Sequence, residues 1–182
     1  MKHEILNFCL LLTLPFILVL RLAGRFWDVC YILCHLGKVR EARQELLYLK
    51  KAKTDDAEAL IKQKYKWQAD TPVWFDYPRM PLVTVMRKGG DCEDFARLYY
   101  EIIKDERRYV SYSVIYGFMK GHTMGVYYSH GKFHICSNLI RFSLSGDSFD
   151  DVIEESSKLI DPKYWFVVVG TNRLLLPLRV LF

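Results

Sequence analysis

Residues 88–102, KGGDCEDFARLYYEI, place one cysteine directly after two glycines and an aspartate, at the point where an apolar helical period begins. Gly89 and Gly90 permit a tight turn, and Asp91 is a residue type that caps helix N-termini. Cys92 is therefore predicted in the first turn of a helix. Apolar side chains follow at helical spacing, so one face of this helix is expected to pack on a core (Phe95, Ala96, Tyr99, Ile102 and Ile103).

Cys92 is the candidate nucleophile of this sequence. Backbone amides and the helix dipole stabilise a thiolate at a helix N-terminus. The neighbouring carboxylates of Asp91, Glu93 and Asp94 oppose that effect. A reactive thiol at this position therefore needs a histidine beside it.

The composition limits the other functions open to the chain. It has 182 residues, 51% of them apolar, and a net charge of +5. Residues 38–67 contribute +4 of that charge, from nine Lys or Arg against five Asp or Glu, so the rest is nearly neutral and no nucleic-acid partner is expected. Five cysteines at irregular spacing favour a reducing compartment. Cys30 and Cys34 lie beside His35, but no second ligand pair follows, and we expect no metal or other cofactor.

The N-terminal segment, residues 1–37, is predicted to be apolar and helical and separate from the domain of residues 38–182. Ile5 to Leu20 is a charge-free run of 16 residues. As a helix it is about 24 Å long, short of the ~30 Å hydrocarbon core of a bilayer. Two interpretations stay open: a membrane anchor, or a helix buried against an oligomeric or other partner through residues 5–36. Either one predicts a membrane-associated protein or a component of a larger assembly.

The remaining pattern predicts an α+β domain. Residues 38–66 read as two basic helices, separated near Thr54. Downstream, the apolar period changes from helical to alternating, which predicts an antiparallel sheet with the Cys92 helix laid on it. The expected strands cover residues 110–119, 122–129, 132–138, 163–169 and 173–180, with a helix at about 147–158.

These residues together resemble a known family. Gly90-Asp91-Cys92-Glu93-Asp94-Phe95-Ala96, then Gly121-His122 entering a strand, then Ser137-Asn138-Leu139, are similar to the transglutaminase-like superfamily and in particular to bacterial transglutaminase-like cysteine proteinases. The resemblance covers roughly residues 58–170. It implies a papain/transglutaminase-like core, a nucleophile helix packed on an antiparallel sheet, to which residues 1–37 add an N-terminal helical extension.

The resemblance also implies a mechanism. Cys92 is the expected nucleophile and His122 the base, with a third side chain orienting the imidazole. The Cys92 backbone N–H holds part of the oxyanion. Such a site transfers an acyl group from an amide of a protein or peptide substrate, as a peptidase, amidase or transamidase. Trp74 is the expected aromatic wall of the substrate cleft.

The third member of the triad is where the sequence departs from the family, which has an aspartate at the position of Ser137. A three-residue loop at 129–131 sets Asn138 opposite His122, whereas a two-residue loop at 130–131 makes Ser137 its diagonal neighbour. Alignment with the family favours Ser137. We predict Asn138, because an asparagine carbonyl accepts the imidazole N–H and fixes its tautomer more firmly than a hydroxyl does.

The incomplete family pattern leaves a second function class open. A chain without the usual aspartate is also consistent with a catalytically weakened transglutaminase-like scaffold. Such a protein acts as a binding or structural subunit of a membrane-bound or multi-subunit assembly. The unusual N-terminal segment favours this alternative, and the reactivity of Cys92 distinguishes it from an enzyme.

Overall fold

A computed structural model describes residues 2–69, 77–103, 109–117, 120–170 and 177–181. Trp74 lies outside these ranges, so the prediction that it walls a substrate cleft concerns a residue outside the described part of the chain. Six helices occur in the described ranges: α1 Lys2–Cys34, α2 Leu36–Lys51, α3 Thr54–Lys64, α4 Pro81–Arg87, α5 Cys92–Ile102 and α6 Phe149–Ile160.

The two basic helices predicted over residues 38–66 are present as α2 and α3. They separate at Ala52 and Lys53, one or two residues before the predicted break. Lys53 occupies the N-cap of α3 and makes no side-chain capping bond, so Thr54 lies inside the helix and not at its cap. Asp55 and Asp56 in the first turn of α3 interact favourably with the helix dipole instead.

The described strands are β1 Lys66–Trp67, β2 Gly89–Gly90, β3 Tyr109–Gly117, β4 Lys120–Ser129, β5 Lys132–Ser137, β6 Ile140–Leu144, β7 Phe166–Gly170 and β8 Pro177–Leu181. Six of these described strands form one sheet in the order β6-β5-β4-β3-β7-β8, and every neighbouring pair is antiparallel. A separate two-stranded parallel pair joins β1 to β2, directly before α5. The sequence did not predict β6.

Side-chain alternation divides the core into two layers, one on each face of the sheet. On one face, α5 packs with the N-terminal helices over strand residues that include Tyr109, Tyr127 and Cys136. On the other face, Val152 and Ile153 of α6 pack on the alternate residues of the same strands (Tyr112, Val114, Met124, Val126, Phe133, Ile135, Val167 and Val169). Any side chain on β4 therefore points either to α5 or to α6.

The predicted fold class is confirmed: the chain is α+β, with the cysteine-bearing helix α5 packed on an antiparallel sheet and a long helix preceding the domain. Within the described residues, no helix combines the length and apolar character needed to cross a membrane.

The second half of helix α1 contacts the chain segment around Tyr77. Gly24 lies against the ring of Tyr77, where a Cβ atom would collide with the ring. Asp28 is buried, and its carboxylate accepts hydrogen bonds from the Met80 backbone N–H at 2.7 Å and the Tyr77 hydroxyl at 3.3 Å. Burial raises the pKa of Asp28 to about 6. These contacts join α1 to the chain segment that precedes α4.

Candidate active site

The start of α5 is fixed by a reciprocal pair of capping bonds. The Asp91 side chain accepts hydrogen bonds from the backbone N–H groups of Glu93 at 3.1 Å and Asp94 at 3.2 Å. The Asp94 carboxylate in turn accepts from the Asp91 N–H at 3.4 Å. This capping box places Cys92 at the first residue of the helix, as the sequence predicted.

The two glycines before the cap are needed for close approach more than for a turn. Gly89 and Gly90 are extended and pair with Lys66 and Trp67. A Cβ atom at Gly90 would overlap the Asp94 carboxylate, so a side chain there would displace the capping box. The left-handed residue of this segment is Lys88, with a φ of 56°.

Two arginines from distant parts of the chain pair with the acidic residues beside Cys92. Asp94 is fully buried, accepts the Arg79 backbone N–H at 2.7 Å, and forms an ion pair with the Arg79 guanidinium. Glu93 pairs with Arg21 of α1 at 2.8 Å. These ion pairs weaken the opposition of the two carboxylates to a thiolate at Cys92. The sequence analysis missed both arginines, because nothing in their local sequence indicates which carboxylate each will meet.

His122 lies near the start of β4 and hydrogen-bonds a hydroxyl. Its Nε2 is 2.8 Å from the Ser137 Oγ on β5. Burial lowers the pKa of His122, which favours the neutral imidazole. The structure therefore brings together two of the predicted site residues, His122 and Ser137.

The β4–β5 register explains why Ser137 and not Asn138 meets the histidine. Ser129 pairs with Lys132, so the connecting turn has two residues, His130 and Gly131. Both have left-handed φ values, 50° and 78°, as a type I′ hairpin turn requires. The predicted three-residue loop is wrong, since this turn matches the twist of the strands without a further residue.

Asn138 has a different place from the one predicted. It follows β5 in the turn that leads to β6, with a left-handed φ of 51°. Its side-chain Oδ1 is buried and has no hydrogen-bond partner. Asn138 therefore does not orient the His122 ring in this structure, and the prediction of an Asn138 carbonyl on the imidazole is wrong in its geometry.

The pairing of β4 with β3 decides which face of the sheet carries His122. Its direct partner across the β3–β4 pair is Val114. Side chains directly opposite each other on antiparallel strands share a face, and Val114 is fully buried in the layer against α6. Cys92 begins α5, which covers the other face. His122 therefore lies on the face of the sheet where Val114 packs against α6, and the catalytic roles of Cys92 and His122 stay predictions.

A further cysteine, Cys136, lies on β5. Cys136 lies on the α5 side of the sheet and is fully buried, and burial raises the pKa of its thiol, which makes it a packing residue. Within the described residues, no cluster of three or more His, Cys, Asp or Glu side chains is arranged to hold a metal ion. The described side chains around Cys92 and His122 therefore offer hydrogen-bond and thiol chemistry.

The fold and the site define an α+β protein with a helix-borne cysteine and a strand-borne histidine. No protein-family model matches the chain, and no curated protein matches it in sequence. Among solved structures it is similar to LapG of Legionella pneumophila, at 15% identity over 70% of this chain and 71% of that one, with a TM-score of 0.41. The calcium-bound form gives 16% identity, 77% and 81% coverage and a TM-score of 0.44. The EGTA-treated form gives 17% identity, 71% and 73% coverage and 0.42. No residue role follows from similarities at this level.

Proposed function

We propose that this chain is a catalytically weakened transglutaminase-like protein that serves as a binding or structural subunit. The observation that carries the proposal is the position of His122, which shares a face of the sheet with Val114 and hydrogen-bonds Ser137. The neutral Ser137 hydroxyl stabilises the imidazolium of cysteine catalysis less than the carboxylate of a full triad does.

The electrostatics of His122 support the same proposal. A carboxylate partner raises the pKa of an imidazole and stabilises the imidazolium that forms when the histidine takes a proton from a thiol. Ser137 supplies a neutral hydroxyl in place of that carboxylate. Burial lowers the pKa of His122, and among the described residues no carboxylate hydrogen-bonds the ring to oppose that shift. His122 therefore favours its neutral form at pH 7, and a thiolate–imidazolium pair with Cys92 is disfavoured.

Alkylation by iodoacetamide, measured for each cysteine by mass spectrometry, tests the proposal. Cys34 is exposed and serves as an internal reference for an ordinary surface thiol. We expect the Cys92 rate at pH 7 to stay within about threefold of the Cys34 rate or below it, and to be unchanged in His122→Ala, because only a thiolate reacts quickly. A Cys92 rate about tenfold above Cys34 that falls in His122→Ala contradicts the proposal.

Cysteine-dependent acyl transfer is the second candidate, and the local structure of α5 favours it. Cys92 begins a well-capped helix, and Arg79 and Arg21 neutralise the two adjacent carboxylates. In this candidate His122 takes the proton of the Cys92 thiol, the sulfur attacks an amide carbonyl, and the proton passes to the amine that leaves. Water or a second amine then releases the acyl group from the thioester, while Ser137 orients the imidazole.

Ser137→Asp distinguishes the two candidates. A carboxylate at this position restores the residue of the resembling family and raises the pKa of His122. If the site is catalytic, the substitution should accelerate Cys92 alkylation, whereas Asn138→Ala should not change it. If His122 does not serve Cys92, neither variant should alter the rate, and circular dichroism of both should match the parent protein.

A further inference from the structure

Helix α1 carries an apolar surface that the domain does not cover. Nine large apolar side chains are each 47% to 66% exposed along α1 and at the first residue of α2, and seven of them form one stripe that Phe16 and Trp27 flank. The spacing of these seven alternates between three and four residues, with exposed Pro15 filling the one gap, so they occupy the a and d positions of a seven-residue repeat. We name this surface the α1 seam (Leu12, Pro15, Val19, Leu22, Phe26, Val29, Leu33 and Leu36).

The α1 seam lies on the side of the helix that faces away from the domain. Gly24 and Asp28, the buried residues within positions 12–34 of α1, contact Tyr77 and Met80. At 100° per residue these two positions fall roughly opposite the centre of the seam. The seam is therefore not an uncovered part of the domain's own core.

The period of the seam indicates what covers it. A strict seven-residue repeat drifts by about 20° per heptad around a straight α-helix, so over more than three heptads the stripe turns by about 60–70°. A flat membrane surface favours a straight stripe, whereas a second helix follows the drift by left-handed supercoiling. In the sequence, the same spacing continues upstream at Ile5 and Phe8. The partner is expected to be a helix with the same repeat.

The charge pattern and the size of the seam fit a second copy of this chain. No seam position is charged, and the two charged residues nearest the middle of α1, Arg21 and Arg25, form ion pairs with Glu93 and Asp28. Two α1 seams can therefore pack against each other without placing like charges in contact. At their present exposure the seam side chains offer roughly 500 Å² per chain, or about 1,000 Å² for a pair, the lower limit for a specific interface.

We infer that the α1 seam joins two copies of the chain in a coiled-coil contact between their α1 helices. This inference does not depend on the proposed function, since it concerns the face of α1 turned away from Cys92 and His122. A dimer built this way leaves both domains accessible on the outside of the helix pair.

Sedimentation equilibrium of the full chain tests the inference. We expect a mass of about twice 21.5 kDa for the parent protein at tens of micromolar. The double variant Val19→Glu/Phe26→Glu, which places charges at two seam a positions, should sediment as a single chain with unchanged circular dichroism. Trp27→Glu is the matched control, because Trp27 is 58% exposed on the same helix but lies outside the seam. That variant should remain dimeric.

Two results overturn the inference. One is a parent protein that stays monomeric at about 100 μM. Binding of that monomer to phosphatidylglycerol vesicles would overturn the inference in the same way. The other is a dimer that persists in the double variant, which would place the contact elsewhere. A double variant that unfolds is replaced by Leu22→Gln/Val29→Gln, with the same expected loss of the dimer.

Discussion

The Arg79–Asp94 pair gives the sharpest test of how the cysteine helix is held. Asp94 is fully buried, and the Arg79 side chain is 6% exposed. The Asp94 carboxylate also accepts the Arg79 N–H at 2.7 Å and closes the capping box. Asp94→Asn keeps the shape of the side chain but removes the Asp94 charge from its buried ion pair with Arg79. Breaking a buried ion pair in this way costs about 3–5 kcal/mol.

Urea denaturation at pH 7, followed by circular dichroism and tryptophan fluorescence, measures this cost. The control is Glu154→Gln, which removes an exposed ion pair with Lys158 on α6 and should change the free energy of unfolding by less than about 0.5 kcal/mol. A loss below about 1 kcal/mol for Asp94→Asn, with an unchanged m-value, would refute the assignment of Arg79 as the residue that holds the start of α5.

Three further predictions concern packing and pH. The pKa of Asp28 is raised from 3.8 to about 6 in the folded protein, so the protonated carboxyl favours folding. The free energy of unfolding of the parent protein should therefore fall by about 2–3 kcal/mol relative to that of Asp28→Asn as the pH rises from 4 to 7.5, and an equal pH dependence of the two proteins would contradict this. Tyr109→Phe removes a buried bond to the Ala96 carbonyl and should cost about 1 kcal/mol in urea denaturation, and no loss would refute that bond. In Gly125→Ala the new Cβ would overlap the Tyr109 ring, so the free energy of unfolding should fall by about 1–3 kcal/mol. Gly37→Ala, which has open space around it in α2, should raise the free energy of unfolding. The reverse order of the two variants would contradict the packing of α5 on β4.

The sequence predicted α5 accurately because its signals are local. Asp91, the glycines before it and the apolar period after Cys92 all lie within one turn of the residues they control. The alternating strands were predictable for the same reason. What the local pattern did not contain was β6, a short strand that is stabilised by pairing with β5 and not by its own alternation.

The candidate site was harder to predict because it depends on one residue of register. Both loop lengths between β4 and β5 fit the sequence, and they differ by a single position. The left-handed conformations of His130 and Gly131 decide between them. Of these two residue types, only glycine favours such a conformation strongly enough to predict it from sequence. The chemical argument for Asn138 assumed that the strongest acceptor would occupy the site. Backbone pairing instead places Ser137 on the face of His122.

Local sequence patterns also did not show which face of the sheet each side chain of β4 occupies. Gly121 and His122 mark the start of a strand in sequence, but not which layer each side chain joins. That assignment requires the partner of His122 on β3, which is Val114, and the helix that covers Val114, which is α6. Both are distant in sequence, so only tertiary pairing reveals which layer the imidazole joins.

The neutral state of the His122 ring beside Ser137 is the central claim, and nuclear magnetic resonance of that ring tests it most directly. Nitrogen-15 NMR of histidine-labelled protein reports the tautomer and charge of each imidazole, and the His122 signals are assigned by their loss in His122→Gln. The structure predicts a neutral ring at pH 7, hydrogen-bonded through Nε2 and unchanged by Cys92→Ser. An imidazolium at pH 7 that becomes neutral in Cys92→Ser would contradict the account, because only an ion pair with the Cys92 thiolate produces that change.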